Sequence, residues 1–161
     1  MAWFPVASSD ARDIDSLEGL LCVPTRPGAM RLVAVPHRVE ELALGDEVAV
    51  ADWDGEPLAR GELALALAGT VRAVAGGARP WHWLAALIDD AAGGRGSCWF
   101  DVIGEQGVAA SVERPALAAV FAALSERADA DDVRWEYATS SRHDPTSPKS
   151  SNKRIVQRNG S

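Results

Sequence analysis

The spacing of the apolar residues changes near residue 70, and this change limits the folds that the chain can adopt. Before residue 70, short apolar runs alternate with turns rich in proline, glycine and aspartate, which is typical of antiparallel strands. After it, two stretches place apolar residues at positions i, i+3, i+4 and i+7, the spacing of one helix face. The sequence therefore predicts an α+β protein whose first half is built from strands and whose second half is mixed.

We divide the first half into residues 1–15, an irregular lead-in, and residues 16–69, an antiparallel β subdomain made of hairpins. Residues 47–52 and 58–67 are predicted to pair as one hairpin, because Asp54-Gly55 between them is a strong hairpin-turn signal. We expect about four strands in this half, curled into a small barrel or sandwich.

Residues 70–139 have the order strand, helix, hairpin, helix, strand, which predicts a ferredoxin-like βαββαβ unit as the second subdomain. Pro80 and Pro115 stand near the first position of the two helices, where a missing backbone N–H is tolerated. Residues 140–161 combine serine, proline and scattered charges with a single apolar pair, Ile155-Val156. Such a segment buries too little surface to fold, so it is predicted to be a disordered basic tail.

The charge of the chain is divided unevenly between these parts. Residues 1–138 carry a formal charge of −11 and residues 139–161 carry +4, within a chain of 161 residues and net charge −7. An acidic body repels phosphate backbones, so we expect no nucleic-acid partner for the folded part. No apolar run approaches the ~20 residues of a bilayer span, and the first residues do not match a secretory signal. A cytoplasmic protein without a membrane partner is expected.

The most conspicuous local pattern is RPWHWLAALIDD, at the start of the first predicted helix. It places Trp81 and Trp83 on the two edges of an apolar arc, whereas His82 and Asp89 point away from that arc. The tryptophans either seal the rim of a core between helix and sheet, or line a groove for a ligand or partner. His37, which follows a proline at the end of a strand, is either a surface-loop residue or a further binding residue.

The sequence contains no recognisable chemical motif. No histidine or cysteine spacing matches a metal site, and neither a Gly-x-Ser-x-Gly elbow nor a nucleotide-binding loop is present. Cys22 and Cys98 lie in predicted strands, where a cysteine usually behaves as a small buried hydrophobe. No catalytic residue, metal or cofactor is therefore predicted. An enzyme would have to use His37, Asp46 and Asp52, on the first hairpin and its approach.

Three stretches occur in an order that is typical of one bacterial family. In RLVAVPHRVEELALGDEVAVADWDGEPL, a strand ending near proline is followed by a leucine, Gly-Asp and a valine-rich hairpin, and GTVRAV and VRWEYA follow. This arrangement, over residues 32–138, resembles the domain-of-unknown-function 4265 family. That family tends to carry Ser-Gly-His before the strand corresponding to TVRAV, where this chain has LALAGT. The resemblance implies a shared architecture and a bacterial cytoplasmic protein.

Together these observations favour a non-enzymatic cytoplasmic module that binds a protein partner or a small ligand. One alternative is an acidic immunity or antitoxin-type protein that neutralises a basic partner, because the −11 body can meet a positively charged surface. Another alternative is an enzyme with an unrecognised site. The sequence leaves the partner, the ligand and the oligomeric state open.

Overall fold

A computed structural model describes residues 1–7, 14–94, 96–130 and 132–139. Within these ranges the chain forms ten strands and two α-helices, arranged as two sheets. The mixed α+β content predicted from the sequence is confirmed. The tail of residues 140–161, for which disorder is predicted, lies outside the described residues.

The first sheet is curled and has six strands in the order β2-β1-β6-β5-β4-β3. These strands are β1 (Ala2–Ala7), β2 (Ile14–Leu20), β3 (Cys22–Arg26), β4 (Ala29–Leu32), β5 (Glu47–Trp53) and β6 (Glu56–Ala64). Neighbouring strands are antiparallel except β1 and β6, which run parallel. The edge strands β2 and β3 are separated only by Leu21, so the two edges must approach each other and the sheet must curl.

The second sheet has four strands in the order β10-β7-β9-β8, and every neighbouring pair is antiparallel. Its elements are β7 (Ala68–Ala75), α1 (Trp81–Ala91), β8 (Cys98–Ile103), β9 (Gly107–Glu113), α2 (Leu117–Asp129) and β10 (Val133–Tyr137). A single 3₁₀ turn at Arg114–Ala116 leads into α2. The strand–helix–hairpin–helix–strand order matches the order expected from the sequence.

Three expectations about the first half differ from the structure. The first sheet has six strands and not about four, because the N-terminal segment forms a strand and the apolar run around Leu21 is divided between β2 and β3. Ala2–Ala7 is a strand and not an irregular lead-in, because it pairs with β2 while its alternate residues are buried. This tertiary pairing has no local signal in so short a segment. β6 ends at Ala64 and not at residue 67, because the backbone N–H of Ala66 donates to the Asp46 side chain where the chain crosses to the second sheet.

Each sheet packs against its own apolar core. The buried side chains of the first core are Ala2, Phe4, Val6, Leu20, Cys22, Leu32, Val39, Leu42 and Val48. In the second core, α1 contributes Leu84 and Ile88, and α2 contributes Leu117, Val120 and Leu124. The helix faces predicted from the apolar spacing are therefore the faces that pack on the sheet.

Residues 33–46, which we call the connecting segment, pack against the face of the second sheet that the helices leave uncovered. Thr70 donates its Oγ1 hydrogen to the Leu42 carbonyl at 2.7 Å, and the Ser111 Oγ accepts the Leu44 N–H at 3.2 Å. Both sheet residues are fully buried. Arg72 adds a bond from Nη2 to the Val39 carbonyl at 2.6 Å. These contacts hold the two sheets together and position the candidate site.

Candidate ligand-binding site

One carboxylate organises the start of the connecting segment. Glu18 on β2 accepts the backbone N–H of His37 at 2.8 Å on one oxygen, and those of Arg38 and Val39 at 3.0 and 2.8 Å on the other. These three successive backbone N–H groups are not part of any strand pairing, and Glu18 supplies their acceptor. Hydrogen bonds to a charged acceptor are short and strong. The contact fixes the direction in which the His37 and Arg38 side chains leave the backbone.

His37 reaches from the first half of the molecule to the second. Its Nε2 lies 2.9 Å from Oδ2 of Asp101 on β8, and the two side chains are 31% and 51% exposed. The Nε2 atom itself is shielded from solvent. Asp101 therefore lies beside the imidazole ring at the junction of the two sheets, although the ring nitrogen is not aligned for a hydrogen bond to it.

A cavity of about 550 Å³ opens at this junction. Its polar lining consists of Glu18, His37, Arg38 and Asp101, and its apolar lining is drawn from Met1, Leu17, Leu20, Leu21 and Ala34. Met1 and Leu21 are each more than half exposed. The size and the mixture of apolar walls with a few convergent polar groups match small-ligand sites, which typically measure roughly 300–1,000 Å³.

Arg38 is the available cation of the cavity. The Glu18 oxygens are occupied by backbone donors and Asp101 faces His37. Among the described residues, by contrast, no carboxylate forms an ion pair with the exposed Arg38 side chain. A guanidinium with free donors beside an apolar wall suits a carboxylate-bearing ligand.

The cluster of His37, Asp46 and Asp52 suggested by the sequence is not assembled. Asp46 is fully buried, and its two oxygens accept the N–H groups of Ala43 and Ala66, each at 2.7 Å. Asp52 is exposed in the β5–β6 hairpin, where it accepts the Gly55 N–H at 3.4 Å. Asp46 and Asp52 accept hydrogen bonds from backbone N–H groups at two separate places in the fold. The acid that lies beside His37 is Asp101.

Trp81 and Trp83 occupy different surroundings at the start of α1. Trp81 is 36% exposed and meets the His82 ring edge-on, with 5.9 Å between ring centroids. Trp83 is half-buried against the second core, and the Arg79 guanidinium lies 4.6 Å from its ring centroid. Asp132 holds that guanidinium at 2.7 Å. Trp83 thus packs at the rim of the core under a cation, whereas Trp81 keeps part of its ring in solvent.

The two cysteines are buried, as the sequence predicts. Burial and, after it, the nearby Asp89, whose Oδ1 accepts the thiol hydrogen at 3.4 Å, together raise the pKa of Cys98 to about 12. Burial also raises the pKa of the Cys22 thiol. Since the thiolate is the reactive form, neither cysteine is suited to be a nucleophile. Within the described residues, no group of three His, Cys, Asp or Glu side chains is placed to hold a metal ion.

Sequence reasoning named His37 as a candidate binding residue but did not name Glu18, Arg38 or Asp101, which lie around it in the structure. Glu18 precedes His37 by nineteen residues and Asp101 follows it by sixty-four, and neither lies in a recognisable motif. Only the pairing of the strands and the path of the connecting segment bring them together. No local signal in the sequence points to this arrangement.

The fold and the site define an α+β protein with a cleft between two sheets. Neither a family model nor a curated protein matches the chain. In structure it is similar to a hypothetical protein from Neisseria gonorrhoeae, whose crystal structure gives a TM-score of 0.71 over 85% of this chain and 92% of that one, at 17% sequence identity. At this identity the likeness supports the fold alone. No helix in the described part of the chain is long and apolar enough to cross a bilayer.

Proposed function

We propose that this protein is a non-enzymatic module that binds a small ligand in the cavity beside His37. The observation that carries the proposal is the cavity of about 550 Å³ between the two sheets, where an apolar wall meets the His37 imidazole and the Arg38 guanidinium, which forms no ion pair among the described residues. Clefts between packed units are common positions for ligand sites. The ligand class that fits is a small carboxylate with an apolar portion.

Binding is favoured over catalysis because the described residues around the cavity include no serine, threonine, cysteine or lysine. The His37 imidazole, a candidate general base, lies beside the Asp101 carboxylate, and this proximity supports the enzyme alternative. A base without a nucleophile would have to activate water. We therefore place the enzyme second to the binding module.

An NMR titration tests the proposal. The isotope-labelled protein is titrated with acetate, butyrate, benzoate and citrate, and the amide signals of Gly19, His37 and Arg38 are followed. We expect saturable shifts with at least the apolar carboxylates. Arg38→Gln should abolish them, whereas Arg134→Gln, which removes an exposed arginine on β10, should not. Shifts that do not saturate, or that survive in Arg38→Gln, would reject this site.

The acidic immunity or antitoxin-type hypothesis is the second binding candidate. It is favoured by the tip of the β5–β6 hairpin, which carries the exposed Asp52, Asp54 and Glu56 together with Trp53, itself 46% exposed. A hairpin tip with an exposed aromatic side chain and three carboxylates suits a basic protein surface. A partner bound there should be lost on Trp53→Ser and released steeply by salt, and salt-independent capture would speak against it.

We also propose a finer classification. A ferredoxin-like topology for residues 70–139 is supported by the antiparallel order β10-β7-β9-β8 and by two helices that share one core. Membership of the domain-of-unknown-function 4265 family, and with it a bacterial cytoplasmic setting, is supported by the segment order described above. The test is to align residues 32–138 with a sequence profile built from confirmed members of that family. If the profile does not align, this support is lost.

A further inference from the structure

A second groove lies away from the His37 cavity, where β1 and β6 separate. The two strands share one pair of residues, Trp3 and Leu58. Beyond that pair, the strands diverge around a groove of about 260 Å³. Its volume is below the roughly 300–1,000 Å³ of drug-sized ligand sites, so it suits one or two side chains of a peptide.

The groove has an apolar floor and a charged rim. Phe4, Val39, Leu42 and Val48 are buried side chains of the first core and form the floor. The rim carries Glu40 and Glu62 against a single cation, Arg60, so its net charge is negative. We call this site the β1–β6 groove.

The β1–β6 groove also offers a strand edge. The β6 residues Ala59, Gly61 and Glu62 pair with β5 on one side. On the other side, pairing within the described residues stops at Leu58. An edge of this kind accepts an added extended peptide, with backbone bonds giving affinity and alternate side chains entering pockets.

The chain leaves the described fold next to this groove. The Ala138 carbonyl accepts the Glu41 N–H at 2.7 Å, and Glu41 stands between Glu40 and Leu42, which line the groove. The described part of the chain therefore ends near the rim. The thirteen residues between Thr139 and Lys153 can span roughly 45 Å when extended, far enough to reach any part of the groove.

Within residues 140–161, one stretch has the composition that the groove requires. KRIVQR, residues 153–158, contains the adjacent β-branched pair Ile155-Val156, no proline or glycine, and three basic residues. Its charge of +3 complements the negative rim and the −11 of residues 1–138. We propose that residues 153–158 dock in the β1–β6 groove of their own chain as an added strand, with one side chain of the aliphatic pair over the apolar floor and the other on the opposite face.

A spin label on the full chain tests this docking. Asn159→Cys introduces a thiol directly after the docking stretch, and a nitroxide methanethiosulfonate should react there because Cys22 and Cys98 are buried. We expect the amide signals of Ala59, Gly61 and Glu62 to be broadened beyond detection and to return when the nitroxide is reduced. Broadening that is absent, evenly spread or centred at another surface would overturn the proposal.

Matched variants separate docking from chance proximity. Replacing Ile155 and Val156 by serine should restore the groove signals, and so should Glu40→Lys, which places a cation on the rim. Glu126→Lys makes the same charge change on the exposed face of α2 and should leave the broadening in place. Broadening that persists in both the double serine variant and Glu40→Lys would overturn the proposal.

A mixed sample decides whether the occupant is the same chain. Isotope-labelled protein without nitroxide is combined with unlabelled, spin-labelled protein. We expect the groove signals to keep their full intensity, because each groove is occupied by its own tail. Broadening of those signals would show a second copy in the groove and would overturn docking within one chain.

Discussion

At the scale of single residues, Asp46 joins two parts of the fold through its buried carboxylate. Its removal leaves the Ala43 and Ala66 N–H groups without an acceptor in the interior, at about 1–3 kcal/mol each. We expect Asp46→Ala to lower the free energy of unfolding by about 3–5 kcal/mol. The exposed Asp52→Ala should cost under about 0.5 kcal/mol. Chemical denaturation measures both, and equal losses would show that Asp46 has no special structural role.

Trp83 provides a second residue-scale test. A buried tryptophan replaced by alanine costs about 3–5 kcal/mol, and because Trp83 is half-buried we expect about 2–4 kcal/mol for Trp83→Ala. The exposed His82→Ala serves as the neighbouring control, with an expected loss under about 0.5 kcal/mol. If both variants unfolded like the parent protein, Trp83 would not be part of the core rim.

The Cys98 thiol should react with a pH dependence set by its environment. With a pKa of about 12, it is almost entirely protonated at pH 8, so alkylation is slow and accelerates as the pH rises toward 12. Asp89→Asn removes the nearby negative charge and should lower this pKa, which increases the alkylation rate at pH 8. Mass spectrometry after timed iodoacetamide treatment measures the rate, with Cys22 in the same sample as the reference. A rate unchanged by Asp89→Asn would contradict this assignment.

At the scale of elements, the connecting segment depends on Glu18. Hydrogen bonds to a charged group contribute about 1.5–3 kcal/mol each, so the loss of three acceptor contacts in Glu18→Ala should lower stability by about 3 kcal/mol or more. Hydrogen exchange should accelerate selectively at the amides of His37, Arg38 and Val39. Glu113→Ala, an exposed acid at the end of β9, is the control. Uniform acceleration over the whole chain would mean that Glu18 does not act on this segment in particular.

At the scale of the whole molecule, the two sheets should unfold together. The connecting segment contributes Val39 and Leu42 to the first core while it bonds to Thr70 and Arg72 of the second sheet. Denaturation followed by NMR should therefore give coincident transitions for amides in β5 and in β9. Two separate transitions would show that the halves are independent domains. Thr70→Val removes the hydrogen bond from the Thr70 hydroxyl to the Leu42 carbonyl. It should therefore weaken the coupling between the two transitions.

The sequence predicted best what is decided within one element. The apolar spacing identified both helices and the faces they bury, and Asp54-Gly55 located the β5–β6 turn, where Asp54 and Gly55 both have positive φ. These features depend on local geometry, which a few neighbouring residues determine. The strand Ala2–Ala7 was missed because its stability comes from pairing with β2 and from the core beneath it.

By itself, the sequence determined the α+β class, the order of elements along residues 70–139, and the burial of both cysteines. The tertiary structure alone decided which groups are in contact. These contacts join Glu18 to the amides of residues 37–39, His37 to Asp101, and Asp46 to the N–H groups of Ala43 and Ala66. Most of those contacts join residues far apart in the chain, and their acceptors and donors carry no local pattern. Strand pairing and the curl of the first sheet set the distances between them, so the candidate site became visible only in the folded chain.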